Sequence, residues 1–202
     1  MILSDREIRA AIEQGQIVIR PNPDPRHWTS TAIDLTLDSN IRKWKFLRSL
    51  PTGQLGSIRP HADGFDIKEL IYSDSYTEGV LIGPQDYDLP PKSFVLGFTE
   101  QRVYLPLRSR VAARVEGKSS LARLGIGIHV TAPTIHAGFG RIGANAAEEQ
   151  GSPIQLEIFN LGDLTVTLDQ GMAICQLILE EVRETPDKGY IGKFSDQFKF
   201  AS

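Results

Sequence analysis

The chain has 202 residues, 41% hydrophobic and 23% charged, with a formal net charge of −3 at pH 7. That length and composition suit a single globular domain, spanning residues 1–202, with a core large enough to need no staples. The acidic balance argues against general affinity for nucleic acid or an anionic membrane, but leaves room for a small basic pocket holding one anionic ligand.

The first residues lack the basic, apolar and small-residue order of a signal peptide, so a cytoplasmic location is expected. No apolar run reaches the roughly 18 residues that a membrane span needs. Ser4 and Glu7 form an S-x-x-E capping box, Leu3 and Ile8 a candidate hydrophobic staple, and Ile8, Ala11 and Ile12 one apolar helical face, so a helix is predicted from Ser4 to Gly15. Ile17 to Ile19 reads as a short strand ended by Pro21, Pro23 and Pro25. Thr31 to Leu37 alternates as a strand, with Asp34 inside it placed to anchor a neighbouring loop, and Ile41 to Leu47 reads as another.

Leu50 to Pro91 is punctuated by Gly, Pro and Asp, and its apolar runs at Leu70–Tyr72 and Val80–Ile82 predict short strands between loops. From Ser93 the β signal strengthens: Phe94–Phe98, Arg102–Leu105, Arg110–Val115, Ile126–Thr131, Ile154–Phe159, Leu164–Leu168 and Ala173–Val182 each have strand length and composition. Leu121–Leu124 allows one or two helical turns, and Asp169-Gln170-Gly171 a turn. Cys175, the one cysteine, lies in an apolar run and reads as a buried structural thiol. A single cysteine also excludes an intrachain disulfide and a Cys-x-x-Cys zinc site. Many short strands with little helix predict an all-β barrel or sandwich.

Two stretches carry chemistry. Gly117-Lys118-Ser119-Ser120 resembles the end of a Walker A loop, but that motif needs a glycine at position 112, which is Ala. Hydroxyls and backbone N–H groups at a helix start, with Lys118 and Arg123 nearby, still suit a triphosphate. A solvated strand–helix turn explains the same residues, and both readings stand. Glu157 is out of phase with Leu156 and Ile158. Pattern alone favours a solvent-facing position for it. A catalytic role needs a buried site and a partner that periodicity does not supply. His129 and His136 read as core or loop histidines in the absence of a third metal ligand.

The run Gly117-Lys118-Ser119-Ser120-Leu121-Ala122-Arg123-Leu124-Gly125, then His129-Val130-Thr131-Ala132, then Gln155-Leu156-Glu157-Ile158-Phe159-Asn160 resembles the core of the dCTP deaminase family, within the trimeric dUTPase-like superfamily. The start Met1 to Ile8, the strand Ala32 to Leu37, Gln170-Gly171-Met172 and the tail Lys193 to Gln197 are similar too, while residues 48 to 90 match loosely. The resemblance implies a distorted jelly-roll-like β-barrel assembled as a homotrimer, with active sites between subunits. It implies hydrolytic deamination of dCTP to dUTP and ammonia without zinc. Glu157 is then the general base, and a water held by the Ala132 carbonyl attacks C4 of cytosine. Arg123 fixes Glu157 and the water. Lys118, Ser119, Ser120, Lys193 and Gln197 hold the triphosphate, whose phosphates carry Mg²⁺. Backbone groups around Gln155 and Leu156 read the base.

Three features depart from the family pattern. His136 stands where the family usually has an Asp that contacts the sugar 3′-hydroxyl, and where dUTPases have the Asp that orients the hydrolytic water. The segment from Gly138 to Glu157 is longer than the family hairpin by something like Arg141 to Gly151. Tyr190 sits too close to Lys193 to match the family's base-side tyrosine. The sequence therefore leaves two rivals to deamination: a dUTPase-like diphosphohydrolase, which the missing Asp disfavours, and a non-catalytic or altered-substrate nucleotide-binding trimer.

Overall fold

The N-terminal helix begins where its sequence asks for it. Ser4 caps α1 (Asp5–Glu13): its hydroxyl accepts from the Glu7 N–H at 3.4 Å, and Glu7 Oε2 accepts from the Ser4 N–H at 2.7 Å. The exchange satisfies two donors that have no partner inside the helix. Ile8 and Ala11 bury themselves against the core, with Leu3 and Ile12 beside them. The structure, a computed structural model, describes residues 1–45, 58–83, 86–129, 132–141 and 151–189. After α1 it contains β1 (Val18–Arg20), β2 (Ile33–Thr36), β3 (Asn40–Trp44), α2 (Ile67–Tyr72), β4 (Thr77–Leu81) and β5 (Tyr87–Leu89). There follow β6 (Ser93–Tyr104), β7 (Val111–Gly117), α3 (Ser119–Ala122), β8 (Ile126–Ile128), β9 (Thr134–Ile135), β10 (Ser152–Asn160), β11 (Val166–Leu168) and β12 (Ala173–Glu181).

The protein is mostly β with few helices. Among the described residues one sheet runs β4-β3-β6-β10-β8 with β1 also paired to β6, a second runs β2-β12-β7-β9, and β5 pairs with β11. No described sheet closes on itself into a barrel. Leu35 of β2, Val115 of β7 and Leu177 of β12 share one apolar cluster with Val95 of β6 and Leu156 and Ile158 of β10, so the core lies between the two larger sheets. Burying each such side chain contributes roughly 1.5–3 kcal/mol.

The structure corrects three expected elements. Phe94–Phe98 and Arg102–Leu105 are one strand, because the polar residues between them are satisfied inside the sheet. Thr99 Oγ1 donates to the Gln101 carbonyl at 2.7 Å and accepts from Ile154 N at 2.9 Å. The Gln101 amide exchanges two 2.8 Å bonds with Thr36. Leu70–Tyr72 is helical: Asp66 caps α2 by accepting from Lys68 N at 2.8 Å, and Ile67 and Ile71, one turn apart, pack in a second apolar cluster with Leu96, Phe98, Trp44 and Phe94. The strand expected over Ile126–Thr131 stops at Ile128, because His129 adopts φ +48° and leaves the ladder. Lys193, Gln197, Tyr190 and the interior of the long segment, 142–150, lie outside the described residues.

Candidate active site

Glu157 stands on β10 in a sequence that buries alternate residues completely. Leu156 and Ile158 face the main core with no exposure, while Gln155, Glu157 and Phe159 point to the other side. That other side is not open water. Glu157 lies across from Leu96 on β6, Gln155 across from Phe98 and Phe159 across from Phe94, all three of the second cluster. The Glu157 side chain is consequently only 36% exposed.

The partner that the carboxylate needs is His129. Its Nε2 lies 3.0 Å from Glu157 Oε2 and 2.5 Å from the Gln155 carbonyl oxygen. The His129 N–H also donates to the Glu157 carbonyl at 3.2 Å. The ring is buried, and its Nδ1 has no hydrogen-bond partner among the described residues. His129 reads from sequence as a core or loop histidine within the expected strand Ile126–Thr131 and as the first residue of the His129–Ala132 motif; nothing in its local pattern reveals that it folds back onto β10.

The phosphate candidates sit one element away. The Lys118 ammonium is paired with the Asp34 carboxylate of β2, whose other oxygen accepts from Gln176 Nε2 at 3.0 Å. Asp34 thus anchors the loop that begins α3, as its place within a strand suggested. Ser119 and Ser120 open α3 with exposed side chains. Arg123 ends it, exposed, with Nη1 donating to the Ser119 carbonyl at 3.3 Å. Among the described residues no hydrogen bond or ion pair joins Arg123 to Glu157 within one chain. Ala132 is exposed beside Pro133, whose carbonyl accepts from Val115 N at 2.8 Å and so pins that turn to β7. His136 is exposed just after β9, and its carbonyl accepts from Phe139 N at 3.1 Å. Leu156 contributes backbone alone, since its side chain is in the core. Cys175 is fully buried, and burial, reinforced by the Asp34 charge, pushes its thiol far above the ordinary range. It is a packing residue and not a thiolate.

A half-buried carboxylate with a histidine nitrogen 3.0 Å from one oxygen can exchange a proton, and α3 opens with the exposed hydroxyls of Ser119 and Ser120. Residues 2–182 match the dCTP deaminase-like family. The chain belongs to that family. It is 32% identical over 190 residues to a "dCTP deaminase, dUMP-forming" of Methanosphaera stadtmanae, covering 94% of this chain and 83% of that one. To the protein of the same name from Aquifex aeolicus it is 36% identical over 199 residues, 98% of this chain and 91% of that one. To a "dCTP deaminase" of Rhodospirillum rubrum it is 33% identical over 205 residues, 98% and 92% of the two chains. The solved structure of 2′-deoxycytidine 5′-triphosphate deaminase from Agrobacterium tumefaciens superposes with a TM-score of 0.61 at 19% identity, over 88% of this chain and 47% of that one, which is a likeness of fold. No described helix of this family member is long and apolar enough to cross a membrane.

Proposed function

We propose that the protein deaminates dCTP hydrolytically, with Glu157 as general base. The observation that carries this reading is the half-buried Glu157, gripped by a buried histidine, in a chain that matches the dCTP deaminase-like family from residue 2 to 182. The Glu157 carboxylate takes a proton from water as the oxygen bonds to C4 of cytosine. That proton passes to ring N3. The second water proton then follows by way of Glu157 to the exocyclic amine, the C4–N bond breaks, and ammonia leaves behind the C4 carbonyl of dUTP. Ala132 holds the water through its carbonyl. Lys118, Ser119, Ser120, Lys193 and Gln197 hold the triphosphate, backbone groups at Gln155 and Leu156 read the base, and His136 meets the sugar.

The reading needs no zinc. A zinc deaminase relies on thiolate ligands, and the one cysteine here is a core residue. The described residues offer no group of three His, Cys, Asp or Glu side chains suited to a metal ion. Mg²⁺ would be held by the phosphate oxygens and would supply charge neutralisation there. In this reading the protein is a homotrimer, with Arg123 completing the site at Glu157. The apolar cluster shared by the two larger sheets supports a distorted jelly-roll-like barrel, and the length of the family match supports a single domain. An enzyme that draws on the free nucleotide pool works in the cytoplasm.

The names of the relatives favour a second reading of the product, since those of Methanosphaera stadtmanae and Aquifex aeolicus are called dUMP-forming. In that case diphosphate is lost as well as ammonia. Incubation with dCTP and, separately, dUTP, with assays for ammonia and pyrophosphate, distinguishes the cases. Ammonia alone supports dUTP as product, ammonia with pyrophosphate supports dUMP, and neither product despite nucleotide binding overturns the enzymatic reading.

A further inference from the structure

We propose that His129 is the positioning residue of Glu157: its Nε2–H holds one carboxylate oxygen and leaves the other to face the reacting water. The inference rests on the reading of Glu157 as the base and names what aims it.

A glutamate on a strand has three rotatable side-chain bonds, and at 36% exposure Glu157 is not immobilised by packing alone. His129 limits that freedom at Oε2 and is itself fixed by two backbone contacts. Its backbone N–H donates to the Glu157 carbonyl, its Nε2 reaches Glu157 Oε2 at 3.0 Å, and the same Nε2 reaches the Gln155 carbonyl at 2.5 Å. The ring therefore bridges residues i and i+2 on one face of β10. The backbone is bent to achieve this. His129 has φ +48°, a left-handed conformation uncommon outside glycine, and it ends β8 to swing the ring back over β10.

The two ring contacts fix the proton. A backbone carbonyl and a carboxylate both accept, so Nε2 carries the hydrogen. Nδ1 is buried without a partner among the described residues. An unused lone pair there costs less than a buried N–H with no acceptor, which places the hydrogen on Nε2. A histidine kept only for packing would need neither the left-handed backbone nor a ring nitrogen set 3.0 Å from the one carboxylate on this face of β10.

The test uses the full chain. His129→Asn tolerates positive φ but stops short of Glu157, whereas His129→Gln extends an amide donor to about the position of Nε2. With thermal midpoints matched, His129→Asn is expected to lower kcat for ammonia release from dCTP by about 10- to 100-fold with little change in KM, as expected when a reacting group is misaimed. His129→Gln should recover much of that loss. Parent-like kcat in His129→Asn, or equal losses in both variants, overturns the proposal. Nitrogen-labelled histidine spectra supply an arm that does not depend on turnover. They should show His129 as the Nε2–H tautomer, with a signal that shifts in Glu157→Gln. An Nδ1–H tautomer, or a signal indifferent to Glu157, refutes the contact. If the parent releases no ammonia from dCTP, the deaminase reading and His129's service to it fall, while the spectra still decide whether His129 holds Glu157.

Discussion

Lys118 and Asp34, 84 residues apart in the chain, form an ion pair with side-chain exposures of only 21% and 10%. The pair fastens the start of α3 to β2, and Gln176 of β12 completes the carboxylate's hydrogen bonding. A cation in this arrangement is a structural fastener before it is a phosphate ligand. Removing one member leaves the other charge partly buried and unpaired. Asp34→Ala should destabilise the fold by about 3 kcal/mol, and Asp34→Ala with Lys118→Met by less than the sum of the single losses. Urea unfolding of the four chains of this cycle checks it. Additive losses would show that the pair is not a fastener.

The other end of α3 is held by backbone contact. Leu161 N donates to the Gly125 carbonyl at 2.8 Å, and a Cβ placed on Gly162 would lie 2.4 Å from the Leu124 carbonyl oxygen. Backbone, unlike a flexible side chain, does not move aside. Gly162→Ala should cost about 2 kcal/mol or more and displace the α3–β8 turn from the end of β10, lowering turnover as well. Gly189→Ala, where the added atom meets nothing within 4 Å, is the control and should match the parent in both measurements.

These two relationships show where sequence reading succeeds and where it stops. The capping box at Ser4 and Glu7 and the alternation around Leu156 and Ile158 are local, so spacing alone disclosed α1 and β10. The unity of β6 was hidden because Thr99 and Gln101 look like turn residues until Thr36 and Ile154, brought in from other strands, satisfy them. Helix α2 was hidden because Leu70–Tyr72 is too short for periodicity, and its cap at Asp66 lay outside the apolar run. For the site, residue types at 117–123 and 157 pointed to an anion and a base. The grip of His129 on Glu157 depends on one left-handed residue, and a histidine at the end of a strand carries no sign of that turn.

The helix cap makes a pH-dependent prediction. The Ser4 backbone N–H, and then its hydroxyl, hold the Glu7 carboxyl below its ordinary value of 4.5. A carboxyl lowered by folding adds stability that is present above 4.5 and is lost as pH falls through the folded value. Ser4→Ala should therefore lower the denaturation midpoint at pH 7, and the gap from the parent should narrow as pH drops below 4.5. A gap that stays constant down to strongly acid pH would mean that the Ser4 hydroxyl's bond to the Glu7 carboxylate plays no part.

His136 tests substrate recognition. By resemblance its place belongs to an Asp that meets the sugar 3′-hydroxyl, and here it is exposed just after β9. A carboxylate accepts from a hydroxyl more strongly than a neutral imidazole. If His136 only fills that site, His136→Asp should lower KM for dCTP by about 3- to 10-fold, a gain on the scale of one hydrogen bond. A fall in kcat instead would show that the imidazole has work of its own, and steady-state kinetics on both chains separates the outcomes.

The base itself is tested by Glu157→Gln. The amide keeps the size of the side chain and can still present its oxygen to His129 Nε2, so the fold and the ring's position should persist. What it loses is the ability to take a proton from water. Because general-base catalysis contributes about 10²- to 10⁴-fold, ammonia release from dCTP should fall by that factor, while dCTP affinity measured by calorimetry stays near the parent's. The contrast with His129→Asn is informative. That variant keeps the base but misaims it, so its loss should be the smaller of the two, and the double variant should be no worse than Glu157→Gln alone, since a positioning residue has nothing left to position once the base is gone. Near-parental turnover in Glu157→Gln would place the base elsewhere. A further loss in the double variant would give His129 a role independent of Glu157.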